Sequence, residues 1–397
     1  MTAAGHGGEL AARLDAITIE QLRAGGTTKW ARPDGAIGAF IAEMDFGTAP
    51  AVTAALHDFV DSGRFAYPPK DLGAQMRRAT ADLLAREYEW QLDPERIRPL
   101  PDVLAGFVAA LRHVSAPGTK IIVPTPSYMP FLTAPATEGC EVIEVPMRAG
   151  PGGFADDLDA IAAAFDAGGG LLVLCNPHNP TGRVFTRAEL TAIAEVVQAK
   201  GGRVFADEIW APLVFGGHRH LPYAALSEAT AAHTVTAVAA SKGYNLPGLK
   251  CAQLVLSNDE DAALWREVGF LTEHGAANPG MVATAAAYDR GGPWLTEILR
   301  YLERNRATVA DFLAARLPRV GFHVPEATYV AWLDLSDYDL PGGPAAFLRE
   351  RAGVACTPGT DCGAIGAGHV RLIFAMPHPL LVRALERIAA ALETHAA

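Results

Sequence analysis

Three segments of this chain carry residues that could do chemistry together. AASKGYNLPGLKCAQ places Lys242 after a strand-like run and before a loop containing Gly and Pro, so its amine would be held at a strand end. LLVLCNPHNPTGRVF supplies another strand-like run followed by Asn179-Pro180-Thr181-Gly182, and VFADEIW supplies a third that ends in Asp207. A lysine amine can attack a carbonyl or take a proton. Taken singly, these residues have ordinary explanations. A Ser-Lys pair is more often a solvated surface lysine, a strand-end aspartate caps the following turn, and an asparagine caps a helix. Their occurrence together, in this order, is what needs an explanation.

The elements that would position them are legible in the middle of the chain. TKIIVP, CEVIEVP, GLLVLCNP, RVFADEIW, HTVTAVAASK and CAQLVLS alternate with helical stretches, the pattern of a parallel α/β sheet. Several of these runs end in polar or Gly/Pro-rich segments, where an open α/β sheet binds ligands. Beyond about residue 285 the pattern changes to the amphipathic WLTEILRYLERNRATVADFLAARL and then the short apolar runs YVAWLDL and HVRLIFAM. The expected organisation is therefore a large α/β domain over residues 51–284 and a small α+β domain over 285–397. Residues 1–50 would form an N-terminal arm and part of the small domain. Asn278, Pro279 and Gly280 mark a boundary region that a long helix could cross. The first fifty residues show little regular pattern.

Composition excludes several classes of partner. The chain has 397 residues, half of them apolar, enough for two domains with large cores. A net charge of -11 and the lack of any Lys/Arg run argue against nucleic acid or an anionic membrane as the main partner. Neither an apolar stretch approaching about 18 residues nor a leader-like N-terminus is present, so a soluble cytoplasmic protein is expected. Cys140, Cys175, Cys251, Cys356 and Cys362 are odd in number, widely spread and without a CxxC pair, which makes a disulfide scaffold or a metal site unlike this chain. Small molecules and a second copy of the chain are the expected partners.

The segments resemble the class I/II aminotransferase superfamily of pyridoxal 5'-phosphate (PLP) enzymes, fold type I. Within it the chain is similar to the MalY- and PatB-like branch of cystathionine β-lyase-type C-S lyases. AEMDFGTAP, RFAYPP, PSYMPF, NPHNPTGRVF, SKGYNLPGLKCAQ, YLERNR and PEATYVAWLDL carry that likeness through nearly the whole chain. The resemblance implies a PLP-dependent transferase fold, with a mostly parallel sheet in the large domain. It also implies a homodimer with shared active sites.

The same resemblance implies roles for individual residues. Lys242 would form a Schiff base with PLP and, once freed by an amino-acid substrate, would remove the Cα proton. Asp207 would pair with the pyridine nitrogen, Asn179 would donate to the ring's 3'-oxygen, and Tyr128 would stack on the ring. The phosphate would lie near Val103 and Leu104 at a helix start, with Ser241 and Lys250 of the lysine loop, and Tyr67 would reach it from the neighbouring subunit. Arg371 in HVRLIFAMP would grip the α-carboxylate, and the AEMDF segment around Ala42 would line the entrance beside it.

The chain departs from the family pattern at several of these places. Asp102 stands where many relatives have Gly, a carboxylate that is harmless beside a phosphate only if it caps its own helix. Ala239 lacks a hydroxyl, Ile373 replaces an asparagine, and Trp210 stands where relatives commonly place Tyr or His on the cofactor. Indole offers only one donor. The resemblance implies β-elimination from an S-substituted L-cysteine, giving a thiol, pyruvate and ammonia. Transamination, and decarboxylating or oxidative chemistry on a cysteine conjugate, use the same residues and stay open. A protein acting only by binding, with a vestigial PLP site, is disfavoured by intact Lys242, Asp207, Asn179 and Arg371.

Overall fold

The computed structural model describes residues 3–31, 35–116, 118–150 and 152–396. Its large domain is built on seven strands: β1 (Ile97–Leu100), β2 (Lys120–Thr125), β3 (Val142–Pro146), β4 (Gly169–Cys175), β5 (Arg203–Asp207), β6 (Thr234–Val238) and β7 (Ala252–Leu256). They lie in the order β1-β7-β6-β5-β4-β2-β3. β7 runs antiparallel to both of its neighbours, and the remaining adjacent pairs are parallel. The central strands are apolar almost throughout because both faces are covered; every residue of β6 and β7 is buried.

All six runs read as strands lie in this sheet. β1 was not anticipated: it is four residues long and contains Pro99, which an edge strand tolerates and an interior one does not. The chain winds outward from β2 to β3, then returns beside β2 with β4 and proceeds the other way. That reversal puts a crevice at the carboxyl ends of β2 and β4, and the segments after both strands carry site residues.

The small domain holds a second sheet of β8 (Gly321–Phe322), β9 (Val330–Asp334), β10 (Thr357–Pro358) and β11 (His369–Ile373), antiparallel in the order β8-β9-β11-β10. The helices Gly292–Arg316 and His378–Ala396 bury Ile298, Leu302, Val309, Leu381, Leu385 and Ile388 in the same core as this sheet. The N-terminal residues have more structure than their sequence suggested. Helices Ala3–Asp15 and Ile19–Ala24 form, the second closed by a capping box at Thr18, and Ile37–Gly38 pairs in parallel with Val354–Ala355. Leu14, Trp30 and Ile37 belong to the small-domain core, so this segment completes that domain.

Asn278, Pro279 and Gly280 open a helix, Asn278–Arg290, whose Ala283, Ala286 and Ala287 pack with Ala49, Val52 and Ala240 of the large domain. Gly280 lets the start of this helix lie against Leu249, since a Cβ there would collide with the Leu249 carbonyl oxygen. That helix ends at Gly291, a few residues beyond position 284, and helix Gly292–Arg316 follows, its Trp294 and Leu295 packing against both cores. Among the described residues no helix is long and apolar enough to cross a membrane.

Candidate active site

A cavity of about 790 Å³ opens between the two domains at the carboxyl ends of the large sheet. Lys242 reaches it from the short helix Ala240–Gly243, directly after β6. Its Nζ donates to the Ala42 carbonyl at 2.7 Å and stands 5.5 Å from the centre of the Trp210 ring. Burial, reinforced by the positive charge of Arg371, pushes this amine down to about 8. A neutral, nucleophilic fraction is therefore present near neutrality, as ordinary lysines do not provide.

Asp207 is the last residue of β5 and is buried. One carboxylate oxygen accepts from the Ile209 N–H at 3.1 Å, and the other lies 3.9 Å from the thiol of Cys175, its register partner on β4. Burial raises this carboxyl to about 7, against the weaker opposing pull of the Ile209 N–H and the Lys242 charge. A cation placed against it would favour the ionised form. Tyr128, at the start of helix Met129–Thr137, lines the cavity with its ring edge-to-face on Phe131, centroids 5.5 Å apart.

Val103, Leu104, Ser241 and Lys250 line the same cavity. Asp102 caps helix Val103–Ala109 by accepting from the Ala105 N–H at 2.9 Å, and its second oxygen accepts from Lys250 Nζ at 2.8 Å. The carboxylate thus does turn back onto its own helix, but it also engages the lysine assigned to the phosphate. Trp210 is buried against Tyr329, edge-to-face with centroids 4.7 Å apart, and forms a wall.

Arg371 enters from β11, paired in register with Thr357 on β10 and Trp332 on β9. It is 3% exposed. Its Nη2 donates to the Phe40 carbonyl at 3.0 Å and to Thr357 Oγ1 at 3.3 Å, and its Nη1 to Asn179 Oδ1 at 3.3 Å. The buried Nε has no partner among the described residues. A guanidinium so placed, with a donor to spare, suits a planar carboxylate entering the cavity.

Tyr67 is not brought to this cavity. It is 82% exposed and lies over an apolar hollow shared with Phe59, Phe65 and His274. Ile373 is fully buried in the small-domain core, and Ala239 starts the lysine helix without a side-chain cap. Several contributors escaped the sequence reading. Thr357, between Cys356 and Cys362, accepts from Arg371 and donates to the Phe40 carbonyl. Tyr329 donates to the Ala42 carbonyl at 3.0 Å. Asn245 clasps Met44 through both its carboxamide oxygen and nitrogen. These three act on backbone brought close by folding, which local pattern does not reveal.

The residues fit PLP. The cavity offers an amine for its carbonyl, a buried carboxyl for its ring nitrogen, an aromatic wall, and hydroxyl and cationic groups at the helix-start end. A guanidinium remains for a substrate carboxylate.

Residues 40–388 match the family model for aminotransferase class I and II. The chain is 35% identical over 377 residues to the cystathionine beta-lyase of Corynebacterium glutamicum, covering 94% of this chain and 99% of that protein. It is 33% identical over 356 residues to the cystathionine beta-lyase PatB of Bacillus subtilis, covering 89% and 92%. Among solved structures, the PLP-bound C-S lyase from Staphylococcus hominis superposes with a TM-score of 0.85 at 28% identity, covering 90% of this chain and 93% of that one. The chain belongs to the class I and II aminotransferase family.

Proposed function

We propose that this member of the class I and II aminotransferases is a PLP-dependent carbon–sulfur lyase that cleaves an S-substituted L-cysteine by β-elimination. One water is consumed, and the thiol, pyruvate and ammonia are released. The observation that carries the reading is the convergence of Lys242 and Arg371, from different domains, on one strap of backbone across a cavity that also holds Asp207. An α-amino acid with its carboxylate on Arg371 would present its Cα to the lysine amine. The choice of a C–S bond is supported by the likeness to cystathionine beta-lyases and to a C-S lyase of known structure.

PLP, when bound, supplies a ring that accepts the electron pair left when a bond to the substrate Cα breaks. Lys242 would hold the cofactor's carbonyl carbon and, as a free amine, would take the substrate's Cα proton. Asp207 provides a negative charge at the pyridine nitrogen, and Arg371 fixes the carboxylate so that the Cα proton faces the lysine. Asn179 braces Arg371 through its carboxamide oxygen and keeps two N–H donors for the ring side. Trp210 walls the site, backed by the buried Tyr329.

A homodimer is part of this proposal. The exposed Tyr67, in one hollow with exposed Phe65 and linked through His274 to exposed Phe270, supports a partner that covers this face and receives the tyrosine at its phosphate end. A cytoplasmic location also belongs to the proposal, supported by five free cysteines. The test is to incubate PLP-loaded protein with cystathionine and with S-alkyl cysteines, without any 2-oxo acid, and to measure pyruvate and thiol. Equal release of both supports the lyase. Turnover only after a 2-oxo acid is added would make the protein an aminotransferase.

A further inference from the structure

We propose that the buried ion pair of Lys29 with Asp45 is a positioning device that holds residues 40–46 across the cavity, so that the Phe40 and Ala42 carbonyls meet Arg371 and Lys242. The inference rests on the reading of Arg371 and Lys242 as the groups that receive an amino acid.

The pair is unusual in its cost. The Lys29 and Asp45 side chains are 0% and 3% exposed, and Nζ lies 3.0 Å from Oδ2. Two charges removed from water recover little net stability, and apolar residues of the same size would pack as well. The charges are therefore more telling for what they orient than for what they stabilise.

What they orient is one short strap. Lys29 Nζ also donates to the Glu43 carbonyl at 3.2 Å. The second Asp45 oxygen accepts from Trp30 Nε1 at 2.8 Å, and the Asp45 N–H donates to the Ala375 carbonyl just beyond β11. Lys29 itself is clamped from behind: a Cβ on Gly38 would lie 2.4 Å from the Lys29 carbonyl oxygen, so only glycine lets the two backbones approach this closely. On the other side Asn245, three residues after Lys242, ties down Met44 and Gly47.

The strap then touches both halves of the site. The Phe40 carbonyl accepts from Arg371 and Thr357, and the Ala42 carbonyl from Lys242 and Tyr329. Sliding the strap by one residue would remove these four bonds together. Neither Lys29 nor Asp45 is among the described residues that line the cavity, so the pair acts through the backbone it anchors.

The test uses Lys29→Met/Asp45→Asn, which removes both charges, because a single change would leave a lone buried charge and could prevent folding. Two measurements are made. Deuterium exchange of the peptide spanning 40–46 is followed in the cofactor-free protein, and an amino acid is titrated into the PLP-loaded protein by visible absorbance. Neither needs C–S cleavage, so a failure of the lyase reading stays distinguishable. The expected result is faster exchange confined to 40–46, with amino-acid affinity weakened about tenfold or more, as a misplaced contact set would do. Lys29→Arg, which keeps the charge, should stay close to the unaltered protein in both. Unchanged exchange overturns the proposal. So does faster exchange with unchanged affinity, which would leave the pair a merely structural role.

Discussion

Lys250 and Asp102 form an ion pair of 2.8 Å at the end of the cavity assigned to the cofactor phosphate. Both side chains are substantially exposed, 56% and 40%, so the pair itself contributes little to stability. On the proposed placement of the phosphate its effect falls on the ligand, because Asp102 both occupies the lysine and adds a negative charge where the phosphate would sit.

Asp102→Asn should therefore tighten PLP binding. Asparagine still caps the helix through Ala105, so the fold is kept, while Lys250 is released and a repulsion removed. Equilibrium titration of cofactor-free protein with PLP, followed by fluorescence, should show a several-fold lower dissociation constant. Weaker binding by the variant would show that Asp102 supports the cofactor and that the phosphate lies elsewhere.

The lysine amine sets a pH dependence for cofactor attachment. Only the neutral form of Lys242 attacks a carbonyl, and burial together with Arg371 brings this amine down to about 8. The attachment rate of PLP to cofactor-free protein should rise with pH up to about 8 and level off there. An ordinary lysine would keep rising to about 10.4. Mixing experiments read by visible absorbance give the profile, and borohydride reduction with peptide mapping identifies the lysine. A profile still climbing well above 8, or a label on Lys250, would remove Lys242 from this role.

Asp207→Asn carries two consequences of opposite sign. In the loaded protein the pyridine nitrogen loses its anionic partner, and turnover should fall by about 10²–10³-fold, the range for losing one preorganised charge-stabilising contact. In the cofactor-free protein the change should stabilise. Burial raises the Asp207 carboxyl to about 7, so its contribution to stability is complete below its unfolded value and is lost as pH rises through about 7. Melting temperatures compared below and above neutrality should show an advantage for asparagine that grows with pH. Full turnover in the variant would mean that Asp207 does not face the pyridine nitrogen.

The sequence showed best what depends on local pattern. Six of seven strands in the large sheet carried apolar runs, and Lys242, Asp207 and Asn179 each stood at or just after a strand end, so their meeting at one edge of the sheet followed from topology. β1 was hidden by its Pro99, and the first N-terminal helix by an Ala/Gly-rich composition whose packing partners lie far along the chain in the small-domain core. Lys250 was recognised as a cation but not as the partner of Asp102, because their 148-residue separation is closed only by the pairing of β1 with β7. The segment around Ala42 was expected beside the substrate carboxylate and does line the cavity, but that the Phe40 and Ala42 carbonyls make its contacts was not legible, since every residue has one.

Arg371 offers the sharpest separation of substrate from cofactor. The guanidinium is buried, and its described contacts run to Phe40, Thr357 and Asn179, not to Asp102, Ser241 or Lys250. Arg371→Ala should weaken amino-acid binding by about 2–5 kcal/mol, the cost of leaving a desolvated carboxylate without its partner. PLP content should stay close to that of the unaltered protein. Arg371→Lys is the more telling variant, because it keeps the charge and loses the planar fork. If charge alone held the carboxylate, lysine would restore most of the affinity; bidentate geometry predicts only a small recovery. Titration with an S-substituted cysteine, with PLP measured alongside, decides between them. Unchanged amino-acid affinity in the alanine variant, or loss of PLP with it, would mean that Arg371 does not receive the substrate carboxylate.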